Sequence, residues 1–257
     1  MELKINRKEN IYFTLKVIFT LLILVWVISF ISKFLSAMSS LALTTVLTFL
    51  IYFLMILLFV FIQKIILVAY MKGNGICVSE NQFPEVYEEY KAMIEKLGIK
   101  KEPQLFILQQ GGLLNAFAIR FSGKNYIAIY SDIFSILTSD IDTLKFVIGH
   151  ELAHVKRKHM SKNFWTFPSS IVPFLTPAYS RMCEYTCDNI GTALVKENYI
   201  DKLVLLAAGK ELYKNVNVKN YIDEAGKHNT AVVKFVGLFL SHPYLPRRIK
   251  NINSLVE

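Results

Sequence analysis

Cysteine is scarce in this chain: Cys77, Cys183 and Cys187 are the only three in 257 residues. Three thiols do not suggest a disulfide framework, which excludes a small stapled scaffold. Internal repeats, low-complexity tracts and phosphate-cradling glycine-rich motifs are also missing. Gly73-Asn74-Gly75 reads instead as a linker leaving a membrane. Acidic residues are few, 20 against 29 lysines and arginines, leaving a formal charge of +9. That balance suits a domain held against anionic lipid headgroups. With no nucleic-acid recognition motif present, we expect no nucleic-acid partner.

Charge is nearly absent from two long stretches. Residues 11–31 are interrupted only by Lys16, which is expected to snorkel to the interface. Residues 41–62 carry no charge and would measure roughly 33 Å as a helix. Each is long enough to span a bilayer. The first run is longer than the core of a secretory signal, and Lys33-Phe34-Leu35 is a poor approach to a cleavage site. We therefore expect a retained anchor over residues 1–72 with two transmembrane helices, followed by one domain over 73–257. Lys4, Arg7 and Lys8 precede the first run, Lys33 stands alone between the two, and Lys64 and Lys72 follow. The positive-inside rule then predicts a multi-pass cell-membrane protein whose downstream domain faces the cytoplasm.

Histidine is rare as well, five in all, yet two of the five fall in His150-Glu151-Leu152-Ala153-His154. Composition alone gives H-E-x-x-H in such a chain with a chance of roughly 0.5%. Helical spacing of i and i+4 puts both imidazoles on one face, where they can share one zinc ion. Glu151 then stands beside the metal and can take a proton from its bound water. Ser139 or Asp140 offers an N-cap and Asp142 an acidic first turn. Ile141, Leu144, Phe146, Val147, Ile148, Leu152 and Val155 give a broad apolar face. His159 would lie on the opposite side if this helix continued, so it is not expected to be a ligand.

A catalytic zinc needs a third protein ligand and an open position. Glu184 and Asp188 lie one helical turn apart, so one carboxylate can bind the ion while the other holds the outer N–H of a ligating imidazole. Cys183 and Cys187 share that spacing and offer a thiolate site, but packed core thiols are the better reading.

Four blocks together carry a family likeness: Asn115-Ala116-Phe117-Ala118, the H-E-L-A-H block, Glu184 to Asp188, and His242-Pro243 followed by Arg248-Ile249. Over roughly residues 74 to 252 the chain resembles the HtpX and CAAX-prenyl-endopeptidase group of membrane zinc peptidases. The resemblance implies a gluzincin endopeptidase holding one zinc ion per chain through His150, His154 and Glu184. It makes Glu151 the general base and acid, and Asp188 a partner of a ligating histidine. It lays the strand at Asn115, Ala116 and Phe117 beside a bound peptide, and lets His242 or Arg248 steady the oxyanion. Arg248 could instead anchor its loop on a core carboxylate. The chain departs from the group at Tyr244, where a second proline is common, and in its shorter hydrophobic stretch between His154 and Glu184.

The expected fold is α+β: two transmembrane helices, then a mainly helical zincin-like domain with a small β-sheet. A helix is predicted around Phe83 to Leu97, stopped by Gly98. Strands are predicted over residues 104–109, 115–121 and 125–130, with turns at Gly111-Gly112 and Ser122-Gly123. An extended peptide can add to such a sheet edge. Asn163 to Ser180 is uncharged, aromatic and broken by Pro168, Pro173 and Pro177, and is expected to dip into the cytoplasmic membrane interface. Leu203, Val204, Leu206, Ala207 and Leu212 are expected on a core-facing helix interrupted at Gly209. Val232 to Leu240, too short to span, is expected to be buried. The function expected is hydrolysis of peptide bonds in membrane or membrane-associated proteins, for quality control or processing. The alternatives are a membrane-bound protease that cleaves a repressor and a non-catalytic, zinc-stabilised adaptor.

Overall fold

The computed structural model describes residues 4–36, 39–109, 116–137, 141–195 and 203–256. Two long helices come first, α1 (Arg7–Ser36) and α2 (Ser40–Asn74), both long and apolar enough to cross a membrane by length and composition. The side chain of Ser39 caps α2 by accepting from the Ala42 amide. β1 (Ile76–Cys77), which the sequence did not signal, leads into α3 (Pro84–Lys96). That helix has Pro84 in its first turn and ends where Gly98 takes φ +61°.

A four-stranded sheet follows, in the order β1-β2-β4-β3, from β2 (Gln104–Leu108), β3 (Ala116–Phe121) and β4 (Lys124–Tyr130). β2 and β4 run parallel, with Phe106 opposite Ala128. β3 turns back antiparallel at Ser122-Gly123 and forms one edge. Alternation decides what each face meets. Leu105, Ile107, Ile127 and Ile129 pack with α3 and the helix α5 (Ile141–Lys156), while Phe106, Leu108, Tyr126 and Ala128 pack against Val68 and Met71 of α2. The lower end of α2 is therefore a covering layer of the sheet, and it runs through Gly73 and Asn74 rather than yielding to a linker there.

A short helix α4 (Ser131–Leu137) leads toward α5. The expected caps Ser139 and Asp140 lie outside the described residues. The chain then breaks at Lys158, which takes a left-handed φ of 56°, and restarts as α6 (His159–Trp165). A 3-10 turn (Phe167–Ile171) leads to α7 (Leu175–Leu194), which packs along α5. Beyond it lie α8 (Leu205–Leu212), kinked at Gly209, then α9 (Val218–Lys227), α10 (Ala231–Phe239) and α11 (Leu245–Val256).

Several expectations are corrected. Lys16 does not snorkel. It is fully buried, donates to Asn163 Oδ1 at 2.8 Å and lies over the Tyr179 ring, because the lower half of α1 packs on α7 and the 3-10 turn. Val232 to Leu240 is not buried: Val232 is 70% exposed and Phe235 57%. That helix is held on one side only: Phe239 packs edge-on against Phe174, Arg181 donates to the Leu238 and Leu240 carbonyls, and the Tyr244 hydroxyl donates to the Val233 carbonyl. Leu203 and Val204 are core residues, but Ala207 and Leu212 face outward because Gly209 interrupts the helix between them. Cys183 and Cys187 are buried free thiols, as expected, whereas Cys77 is exposed.

Candidate active site

The site forms where α5 lies against α7, and small residues permit the approach. A Cβ on Gly149 would meet the Gly191 Cα at 3.3 Å, and one on Gly191 would meet the Phe146 carbonyl oxygen at 3.0 Å. His150 and His154 point from α5 into the contact, one turn apart. Glu184 and Asp188 point back from α7. Phe146, Leu152, Ile190 and Leu194 seal the crossing, so all four polar residues sit at the edge of dry core.

The Nε2 atoms of His150 and His154 are 3.3 Å apart. Glu184 Oε2 lies 3.4 Å from the first and Oε1 3.3 Å from the second. Zinc–ligand bonds of about 2.0–2.1 Å give a tetrahedron whose edges are about 3.3–3.4 Å. The two imidazole nitrogens match one such edge, and Glu184 presents one carboxylate oxygen to each of them, a donor set that fits such an ion. The Cys187 thiol also comes within 4.8 Å of both histidines. Its complete burial raises its pKa well above the ordinary thiol value.

Behind His150, Asp188 Oδ1 meets Nδ1 at 2.9 Å, and Arg248 grips both Asp188 oxygens, through Nη2 at 2.6 Å and Nε at 2.8 Å. Burial alone would raise the Asp188 carboxyl, but the guanidinium outweighs it and holds the group below its usual value. Burial would likewise raise Glu184, and its hydrogen bonds to the two histidines hold it well below the carboxylate range. For His150 burial works downward, and the two carboxylates override it and raise the ring to about 10.

A cleft of about 250 Å³ opens over the cluster, lined by Ala116 and Phe117 of β3, by Glu151, and by His242. Asn115 lies outside the described residues. Among those described, the Glu151 carboxylate has no hydrogen bond or ion pair. His242 stands in the loop before α11, 66% exposed, with Nε2 3.5 Å from Glu184 Oε1. Arg248 is 8% exposed and turned to the Asp188 side of the centre, its Nη1 3.8 Å from Glu184.

His159 does not lie on the opposite side of the helix, where a continuous α5 would put it. The break at Lys158 swings it back, and its Nδ1 lies 3.0 Å from His154 Nδ1. Its Nε2 lies 3.2 Å from the Oε1 of Glu9, a fully buried residue of α1 that also takes Arg157 Nη2 at 2.8 Å and Lys162 Nζ at 3.4 Å. Burial holds His159 down at about 4. One sequence signal marked Glu9: it is the lone acid between a basic N-terminus and a long apolar run.

A sequence profile described as peptidase family M48 matches residues 80–169 and 164–256, which together span about two thirds of the chain. No curated protein matches the chain. The chain belongs to peptidase family M48.

Proposed function

We propose that this metallopeptidase, by virtue of its place in family M48, is a membrane-anchored zinc endopeptidase acting on membrane or membrane-associated polypeptides. The observation that carries this reading is the set of Nε2–Nε2 and Nε2–carboxylate distances of 3.3–3.4 Å among His150, His154 and Glu184, opening on a cleft that Glu151 lines. His150, His154 and Glu184 would hold one zinc ion, which supplies Lewis-acid polarisation of the scissile carbonyl and acidifies water.

The chain's own residues do the rest. An extended peptide pairs with the β3 edge beside Ala116 and Phe117, which fixes the scissile bond without regard to most side chains. Glu151 accepts a proton from the attacking water and delivers it to the leaving amine. His242 Nε2, on the open side of the cleft, donates to the developing oxyanion. Arg248 acts at one remove: by gripping Asp188 it fixes the carboxylate that orients His150.

The apolar surface supports a membrane setting. Phe164 and Trp165 at the end of α6 and Phe167 and Ile171 on the 3-10 turn after it are exposed, and α10 adds Val232, Phe235 and Phe239, the last packed on Phe174. We read this patch as lying in the cytoplasmic interface beside the anchor formed by α1 and α2, over residues 1–72. The test is substrate capture: full-length Glu151→Gln, expressed in native membranes, should accumulate uncleaved polypeptides that the active enzyme removes. Accumulation of the same set by an active chain would sink the reading.

A further inference from the structure

The two metal-site histidines are supported differently. His150 rests on Asp188 directly, Nδ1 to Oδ1 at 2.9 Å. His154 has no carboxylate at its outer nitrogen among the described residues. Its Nδ1 faces His159 Nδ1 at 3.0 Å. Two nitrogens at that distance form a hydrogen bond only if one carries the proton and the other is bare.

Chemistry fixes which one does. His154 Nε2 is turned toward His150 and Glu184, and a ligating nitrogen must be bare. The neutral ring therefore keeps its proton on Nδ1 and donates it to His159 Nδ1. His159 then carries its own proton on Nε2, which faces Glu9 Oε1 at 3.2 Å. Donation runs in one direction, from His154 through His159 to a carboxylate 145 positions away in sequence. Glu9 and His159 are 0% and 3% exposed, so water does not substitute for either.

We propose that Glu9 is a positioning residue of the metal centre: through His159 it fixes the tautomer and orientation of His154, so that the first apolar helix supplies part of the peptidase site. The proposal rests on the reading of His150, His154 and Glu184 as ligands. It gives His154 a counterpart to the Asp188 that supports His150, with one imidazole interposed. The competing explanation is that Glu9 only staples α1 to the domain through Arg157 and Lys162. A second ion shared by Glu9, His159 and Cys183, whose ligand atoms lie within 4.8 Å of one another, is disfavoured because those two cations already neutralise the carboxylate.

The experiment uses the full-length chain in detergent, with zinc affinity measured by chelator competition, the cobalt(II) absorption spectrum recorded, and melting followed alongside. Glu9→Gln should weaken zinc about tenfold and shift the cobalt bands, within the 10- to 100-fold usual for groups that orient ligands. In a His159→Phe background the same change should weaken it less than twofold, because the relay is already cut. Arg157→Leu should lower the melting temperature while leaving zinc affinity and spectrum unchanged. Equal losses in both backgrounds, or a zinc loss in Arg157→Leu matching that of Glu9→Gln, overturn the relay in favour of the staple. If Glu9→Gln does not fold, His159→Phe alone decides, and unchanged affinity and spectrum overturn the proposal. His154→Ala separates the two levels. Zinc bound as in the unmutated chain refutes the ligand reading itself, whereas zinc lost there but kept in Glu9→Gln refutes only the relay.

Discussion

Gly149 and Gly191 meet where α5 lies against α7, so closely that a Cβ on the first would stand 3.3 Å from the Cα of the second. This contact sets the separation of the two helices and with it the distance from the histidines to Glu184. Gly191→Ala drives a methyl against the Phe146 carbonyl and ring, which are fixed in a helix. Gly149→Ala meets chiefly the Leu194 side chain, at 2.7 Å, which can rotate away. We expect Gly191→Ala to destabilise by about 1–3 kcal/mol and to weaken metal binding, with a smaller effect from Gly149→Ala. Denaturant unfolding that ranks the two in the reverse order would show that this contact is not what holds the site.

Glu151→Gln should abolish peptide hydrolysis while retaining about one zinc ion per chain, since it removes the base and no ligand. Metal analysis of purified protein alongside a peptidase assay checks both halves. A fully active variant would end the assignment of Glu151 as base.

Glu184→Ala should lose metal, and Cys187→Ser should keep it. The test matters because both side chains come near the two histidines. Zinc retained without Glu184 and lost without Cys187 would hand the third position to the thiol.

Arg248→Met leaves Asp188, which is fully buried, with its charge uncompensated except by His150. Breaking such a pair costs about 3–5 kcal/mol, and metal affinity should fall with it. Arg248→Lys should rescue little, because an ammonium cannot span both oxygens. Rescue by lysine to full stability would contradict the two-point grip.

For topology, a cysteine at Ser39 in a chain lacking the three native thiols should react with an impermeant maleimide in intact cells. One at Asn74 should react only after the membrane is opened. The opposite pattern would put the catalytic domain outside.

Much of the site was legible because it is local. His150, Glu151 and His154 share one helix, Glu184 and Asp188 share another, and strand alternation located β2, β3 and β4 within a residue or so. What stayed hidden depends on contacts between distant segments. Nothing near Lys16 announces Asn163, and nothing near Glu9 announces His159. The turn at Lys158 uses a left-handed residue that is neither glycine nor asparagine, so the chain gave no warning that His159 folds back. The apolar run before His242 failed for another reason. Hydropathy and a length of nine residues show that a segment avoids water, not whether protein or lipid shields it.

The burial of Lys16 and Thr20 bears on the bilayer itself. In the two-span reading, α1 is clear of the domain on all sides only from residue 21 to residue 36, roughly 24 Å, with one face covered by the domain below that, while the uncharged run of α2 over 41–62 measures roughly 33 Å. Two neighbouring helices with one shared upper end and unequal lipid-facing lengths create a hydrophobic mismatch on the α1 side of the cleft. In that reading lipid beside α1 would thin, or α2 would tilt, and either deformation would lower the local barrier to drawing a membrane-embedded segment down toward Glu151. Activity on such a segment should therefore fall as reconstituted bilayers are made thicker with longer acyl chains, while cleavage of a water-soluble peptide stays level.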